Sequence, residues 1–108
     1  MANREHLSKL RKGVKTWNSW REQHPKLIPN LAGARISKLE IAGANLRKAN
    51  LENARLDEAN LDRADLSDAS LYGANLWRAK VRRTNLRGAD LSRTQLSGAD
   101  FTEAEISS

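Results

Sequence analysis

Large apolar residues recur at every fifth position from Leu31 to the end of the chain. In fourteen of these sixteen repeats, an alanine or a threonine lies two residues before the large residue. The large residues are Leu31, Ile36, Ile41, Leu46, Leu51, Leu56, Leu61, Leu66, Leu71, Leu76, Val81, Leu86, Leu91, Leu96, Phe101 and Ile106. The remaining positions are mostly Asn, Asp, Gly, Ser and Arg. Each repeat therefore has two positions suited to a core and three suited to solvent.

A period of five fits neither of the regular secondary structures. On an α-helix, each step of five turns about 140° beyond a full turn and would scatter the apolar residues over every face. On a straight strand, an odd period places successive apolar residues on opposite faces. The pattern instead predicts a chain that bends once per repeat. All glycines of this region lie two residues after the large apolar position, where a corner would favour them.

The repeat units resemble those of a known family. ANLRK, ANLEN, ARLDE, ANLDR, ADLSD, ASLYG, ANLWR and ADLSR are similar to the A(D/N)LXX motif of pentapeptide repeat proteins, and the register covers about 78 of the 108 residues. The resemblance implies an all-β solenoid, a right-handed quadrilateral β-helix with four pentapeptides per coil. It would give about four coils, 31–50, 51–70, 71–90 and 91–108, with residues twenty apart stacked ~4.8 Å from one another. Leu39 departs from the motif, since it replaces the small inward residue.

Residues 1–30 form a separate N-terminal segment that is predicted to contain an amphipathic helix. Asn3 can cap such a helix, Gly13 interrupts its pattern, and Pro25 ends it at about Trp20–His24. Its apolar stripe consists of Leu7, Leu10, Val14, Trp17 and Trp20. The open first coil of a solenoid exposes apolar surface, so we expect this helix to cap the solenoid of residues 31–108. A basic helix that binds a membrane surface or an acidic partner is the alternative, and a mitochondrial-type targeting segment is a weaker one.

Composition narrows the class of protein. The chain has no cysteine, and no apolar run approaches the length of a membrane-spanning helix or a secretory signal. These features predict a soluble cytoplasmic protein. Of the net charge of +6, residues 1–30 carry +5, and the repeats are nearly neutral. Membrane binding and nucleic-acid binding, which would need a basic surface, are therefore restricted mainly to the N-terminal segment.

No catalytic, metal-binding or cofactor-binding constellation is recognisable. Both histidines, His6 and His24, precede the repeats, and no phosphate-binding glycine-rich loop is present. The acidic residues of the second coil would point outward from a convex rod, where a solvated surface is the simplest interpretation. They are Glu52, Asp57, Glu58, Asp62, Asp65 and Asp68. The sequence thus predicts a protein that is not an enzyme and needs no cofactor.

Basic and aromatic residues of the third coil form a candidate interaction patch of Tyr72, Trp77, Arg78 and Arg82. Such interleaving occurs in nucleic-acid-binding surfaces, but charge stacking between coils offers another explanation. The coil charges alternate as +3, −4, +4 and −2. In a twenty-residue register the opposite charges pair as Arg78–Glu58, Arg82–Asp62, Lys80–Asp100, Arg83–Glu103, Lys38–Glu58 and Lys48–Asp68. The two aromatic residues are then either ordinary surface residues or a small contact patch anchored by Trp77.

These observations predict a structural or protein-interaction module whose partner the sequence does not identify. A branch of the family mimics DNA and binds type II topoisomerases, which is the alternative function. Those relatives resemble long acidic rods, whereas this repeat region is short and has a charge of +1.

The C-terminal coil carries a further expectation. Leu91, Leu96, Phe101 and Ile106 would leave an apolar end uncovered, because only Ser107 and Ser108 follow. Two copies could stack there, another chain could dock, or the natural protein could continue. Some pentapeptide repeat proteins pair through their C-terminal coils, so the resemblance favours a homodimer.

Overall fold

The N-terminal segment contains two short helices. The computed structural model describes residues 1–107. Helix α1 spans Arg4–Arg11 and helix α2 spans Val14–Gln23. Asn3 caps α1 as predicted, because its side chain accepts hydrogen bonds from two backbone N–H groups of the first turn.

The two helices meet at Gly13, whose φ of 110° interrupts the helical hydrogen bonding. A single unbroken helix would have placed the whole apolar stripe on one straight line. The two helices contact each other, and side chains of both donate hydrogen bonds to backbone carbonyls of the repeats. Helix α2 ends at Gln23, two residues before Pro25, as the sequence predicted.

The repeat region stacks on itself with a register of twenty residues. Among residues 1–107, twelve parallel β-bridges join residues twenty apart, from Asn30–Asn50 to Asn85–Glu105. These bridges form four columns, one for each pentapeptide of a coil. Backbone hydrogen bonds run in both directions along each column: Leu61 N–H donates to Lys80 over 2.7 Å, and Lys80 N–H donates to Ala59 over 2.9 Å.

Each pentapeptide turns a corner immediately after its large apolar residue. The residue two positions later has a positive φ, whether it is a glycine such as Gly43 (76°) or another residue such as Arg63 (61°). The carbonyl of the apolar residue then accepts a hydrogen bond from the residue three positions later, as in Ala64 N–H to Leu61 over 2.9 Å. Positive φ only at the third residue of the turn is the geometry of a type II turn. The predicted corner position is confirmed.

The core consists of stacked rows of large and small side chains. The large apolar residues from Leu31 to Leu86 and the alanines from Ala44 to Ala79 are at most 2% exposed. Leu39, which departs from the motif, is partly buried and packs against this core. Because these rows are almost entirely apolar and buried, an inward polar residue requires its own hydrogen bond.

Thr84 and Thr94 show how an inward polar residue is accommodated. Thr84 is fully buried, and its hydroxyl donates to the carbonyl of Leu61 over 2.8 Å. Thr94 donates in the same way to Leu71 over 2.9 Å. Each hydroxyl uses a turn carbonyl of the preceding coil, so the threonines replace alanine without leaving an unsatisfied donor.

Candidate interaction surfaces

The predicted stripe of the N-terminal segment faces the first coil. Leu10 and Trp17 are fully buried, and Trp20 is 7% exposed. Leu7 and Val14 are only partly buried and pack against this core. Leu10, Trp17 and Trp20 thus belong to the same buried core as the apolar residues of the repeats.

Polar side chains of the same segment bind the open backbone edge of the first coil. Trp17 Nε1 donates to the carbonyl of Asn45 over 2.7 Å. The Asn18 side chain accepts from Asn45 N–H over 2.7 Å and donates to Gly43 over 3.1 Å. Arg21 donates to Arg47 over 2.7 Å. Elsewhere in the rod an adjacent coil satisfies groups of this kind, so these side chains substitute for a missing coil.

His6 is a buried member of this contact that the apolar pattern did not reveal. It is 8% exposed, and its Nδ1 accepts a hydrogen bond from Asn30 N–H over 2.9 Å. Its ring lies 5.0 Å from the ring of Trp20. Burial lowers the pKa of His6 below 6.5; Glu5 partly opposes this change, and Arg21 adds to it.

We expect the packing of His6 against Asn30 and Trp20 to weaken at acidic pH. A lowered pKa means that the unfolded chain binds the proton more tightly, so the stabilisation by neutral His6 is complete above pH 6.5 and is lost as the pH falls through the lower folded-state value. The melting temperature should therefore fall between pH 7.5 and pH 5. His6→Asn, which retains an acceptor for Asn30 N–H, should show a smaller fall than wild type. Equal pH dependence in the His6 variant would contradict this assignment.

The predicted patch of the third coil is only partly assembled. Tyr72 and Trp77 are each 40% exposed, and the Arg78 guanidinium lies 4.6 Å from the centre of the Trp77 ring. Arg82 is instead held by Asp62, with Nη2 and Oδ2 2.5 Å apart. This contact lowers the pKa of Asp62, chiefly through the side-chain hydrogen bond. Trp77 and Arg78 therefore contact each other, whereas Arg82 forms an ion pair with Asp62 instead of joining them.

Charge stacking accounts for fewer of the surface charges than the register predicted. Of the six predicted pairs, Arg82–Asp62 and Arg83–Glu103 lie within 4.0 Å, and the other four do not within residues 1–107. Arg78 contacts Trp77 rather than Glu58. A pair that the column rule missed joins Arg87 and Glu105, which are eighteen residues apart. Long side chains can reach diagonal neighbours, so the register alone does not fix the partner.

The last coil exposes the apolar residues that were assigned to a dimer end. Leu91 and Phe101 are partly buried, whereas Leu96 is 39% and Ile106 59% exposed. Within residues 1–107, the N–H groups of these four residues have no backbone acceptor. This end therefore combines apolar surface with an unpaired backbone edge.

The part of the chain that the structure describes offers neither a metal site nor a membrane-spanning helix. No group of His, Asp and Glu side chains in residues 1–107 is arranged to hold a metal ion. Neither helix is long and apolar enough to cross a membrane.

Comparison with known proteins identifies similar sequences and folds. A family model described as pentapeptide repeats matches residues 40–78 and 69–107. A pentapeptide repeat protein from the cyanobacterium Cyanothece 51142 is 34% identical with a TM-score of 0.71, over 72% of this chain and 54% of that one. One from the Arabidopsis thaliana thylakoid lumen is 29% identical with a TM-score of 0.68, over 69% and 52%.

A third similar structure is a pentapeptide repeat protein from Nostoc PCC 7120. It is 31% identical with a TM-score of 0.73, over 87% of this chain and 79% of that one. The chain spans about half the length of the first two structures. No curated protein sequence gives a match.

Proposed function

This chain belongs to the pentapeptide repeat family, and we propose that it acts as a non-catalytic protein-interaction module. The observation that carries this proposal is the division of side chains between the core and the outer faces. Alanine and leucine rows fill the interior, so the polar side chains lie on convex surfaces that are held rigidly by the coils. The exposed Trp77–Arg78 pair combines the two residue types that most often anchor protein interfaces.

The architecture that we assign to this module is a right-handed quadrilateral β-helix of four coils with an N-terminal cap. Four columns of bridges and a register of twenty residues support the square section. The burial of Leu10 and Trp17 and the bonds to Asn45 and Arg47 support the capping role of α1 and α2.

DNA mimicry is less well supported by the charge distribution. A mimic of duplex DNA requires a continuous negative face, because the phosphates of DNA repeat regularly along both strands. Here the acidic second coil lies between two coils with net positive charge. Arg82 and Arg83 also neutralise Asp62 and Glu103 directly.

An affinity experiment with extract of the native host tests the interaction proposal. Trp77→Ala should reduce recovery of a specific partner by about tenfold or more, since interface anchors of this type commonly contribute 2 kcal/mol or more. Arg78→Gly should also reduce it. Arg93→Gly is the matched control, because both arginines occupy corner positions with φ near 55°. A Trp77→Ala variant that recovers the same proteins in the same amounts as wild type would refute this role for the patch.

We also propose that the exposed C-terminal coil mediates a homodimer. Stacking of two copies would cover Leu96 and Ile106 and give the unpaired edge a partner. Light scattering at micromolar concentration should give twice the chain mass of 12.1 kDa. Phe101→Asp or Ile106→Glu should shift the protein to monomer, whereas Ile28→Glu, which replaces an exposed apolar residue near the other end, should not. A folded wild-type monomer would contradict the proposal.

A further inference from the structure

A basic cavity lies where the segment after α2 meets the first coil. Its volume is about 300 Å³, and four of its lining residues are Arg21, Lys26, Arg47 and Lys48. No carboxylate of residues 1–107 lines it, and the other lining residues, Pro25, Leu27 and Ile28, are apolar, with Ile28 63% exposed. The cavity is distinct from the Trp77 patch, which lies on the third coil.

Arg21 places an uncompensated charge at this cavity. Its side chain is buried, with 8% exposure, and donates to the carbonyls of Leu27 and Arg47 over 3.2 and 2.7 Å. Its Nε has no acceptor, and no carboxylate lies within 4.0 Å of it in residues 1–107. Carbonyl groups satisfy donors but do not neutralise the charge. Burial accordingly lowers the pKa of Arg21, with only a partial opposing effect from Asp65.

The neighbouring coil does not neutralise Lys48 either. Asp68 is the residue twenty positions later, and the register predicted a pair between the two. A Cβ atom placed on Gly88 would overlap Oδ1 of Asp68, so this carboxylate leans toward the third coil, away from Lys48. The residue twenty positions after Arg47 is the neutral Ser67, whose hydroxyl donates to Asp65 over 2.6 Å. The four basic residues of this corner thus form no ion pair within residues 1–107, in contrast to Arg82 and Asp62, although Asp65 and Asp68 line an adjacent depression with Arg47.

We propose that this cavity binds a small organic anion, a phosphomonoester that carries a compact apolar group. Lys26, Arg47 and Lys48 would contact the phosphate oxygens. The positive charge of the buried Arg21 would add to the electrostatic attraction for the anion. Ile28 and Leu27 would cover the apolar group. A dianion matches the excess of positive charge better than a single carboxylate does. The volume is at the lower end of the range for ligand pockets, which restricts the ligand to a small molecule.

Calorimetric titration of the full chain with phenyl phosphate at constant ionic strength tests this proposal. Saturable binding is expected, and Lys26→Gln combined with Lys48→Asn should weaken it by about tenfold or more, because two charge-assisted contacts are lost. Asparagine suits position 48, where φ is 62°. Lys9→Gln combined with Lys15→Gln removes the same charge from residues that do not line the cavity and should change the affinity by less than about twofold.

A second variant separates the apolar contact from the electrostatic one. Ile28→Ser should weaken binding of phenyl phosphate but leave binding of inorganic phosphate unchanged. The proposal is overturned if phenyl phosphate does not bind saturably. It is also overturned if the two double-lysine variants lose affinity equally, since binding would then reflect net charge alone. Thermal melting of each variant shows whether it is folded before titration.

Discussion

Deletion of residues 1–24 should abolish cooperative unfolding and cause aggregation at micromolar concentration. The deletion uncovers the interior of the first coil, where Leu31, Ile41 and Leu46 are now fully buried. It also leaves the backbone of Asn45 and Arg47 without the donors that Trp17 and Arg21 supply. Exposed apolar surface and an open edge together favour association between chains. Circular dichroism during heating and light scattering at room temperature measure the two effects.

A conservative variant of the same contact provides the control. Trp17→Phe retains most of the buried ring but removes the hydrogen bond to Asn45, so it should cost about 1–3 kcal/mol for the carbonyl that is left without a donor. Its unfolding should remain cooperative and its solution monodisperse relative to wild type. If the truncated rod stays soluble and melts cooperatively at the wild-type temperature, the helices do not act as a cap, and liposome co-sedimentation of the intact chain would test the membrane alternative.

The sequence predicted the repeat architecture well because the period of five leaves few structural solutions. The inward positions, the corner positions and the apolar stripe of the N-terminal segment all follow from which residues are small, large or glycine. The structure also shows that arginine and lysine occupy corner positions with positive φ. The hydrogen bond of the turn offsets the conformational strain of a non-glycine residue there. The backbone therefore keeps the same turn at corners where a residue other than glycine has the positive φ.

Contacts between polar side chains and the open edge could not be predicted from the pattern. His6, Asn18 and Arg21 face the first coil although apolar residues would be expected on a capping face. The reason is that the end of a β-solenoid presents backbone donors and acceptors as well as apolar side chains. Polar residues interspersed with the two tryptophans were the available signal. The partner of Arg78 was also mistaken, because a register specifies which residues are stacked but not which rotamers they adopt.

Leu66→Ala should lower the free energy of unfolding by about 2–5 kcal/mol. Leu66 is fully buried in the second coil, and its row continues in Leu46 and Leu86, so neither neighbour can move in to fill the cavity without disturbing its own coil. Leu96→Ala is the matched control at the same position of a later repeat, with both substitutions made in the monomeric Ile106→Glu background so that dimerisation does not contribute. Leu96 is 39% exposed, so its loss should be well below that of Leu66 when both are measured by urea denaturation. Similar losses for the two variants would contradict the assignment of Leu66 to a closed core.

Ala64→Leu tests the other inward position of the repeat, which a small residue occupies. This substitution should destabilise the protein because it adds side-chain volume to the core, whereas Leu66→Ala removes volume. Ala64 is 1% exposed and lies between Ala44 and Thr84, so three added carbon atoms have no space within the row. Overpacking should cost about 1–3 kcal/mol or more, because displacement of one coil breaks its hydrogen bonds to both neighbours. Ala104→Leu provides the comparison in the monomeric Ile106→Glu background, since Ala104 occupies the same column in the last coil and is only partly buried there. An Ala64→Leu variant as stable as wild type would show that this position does not point into the core.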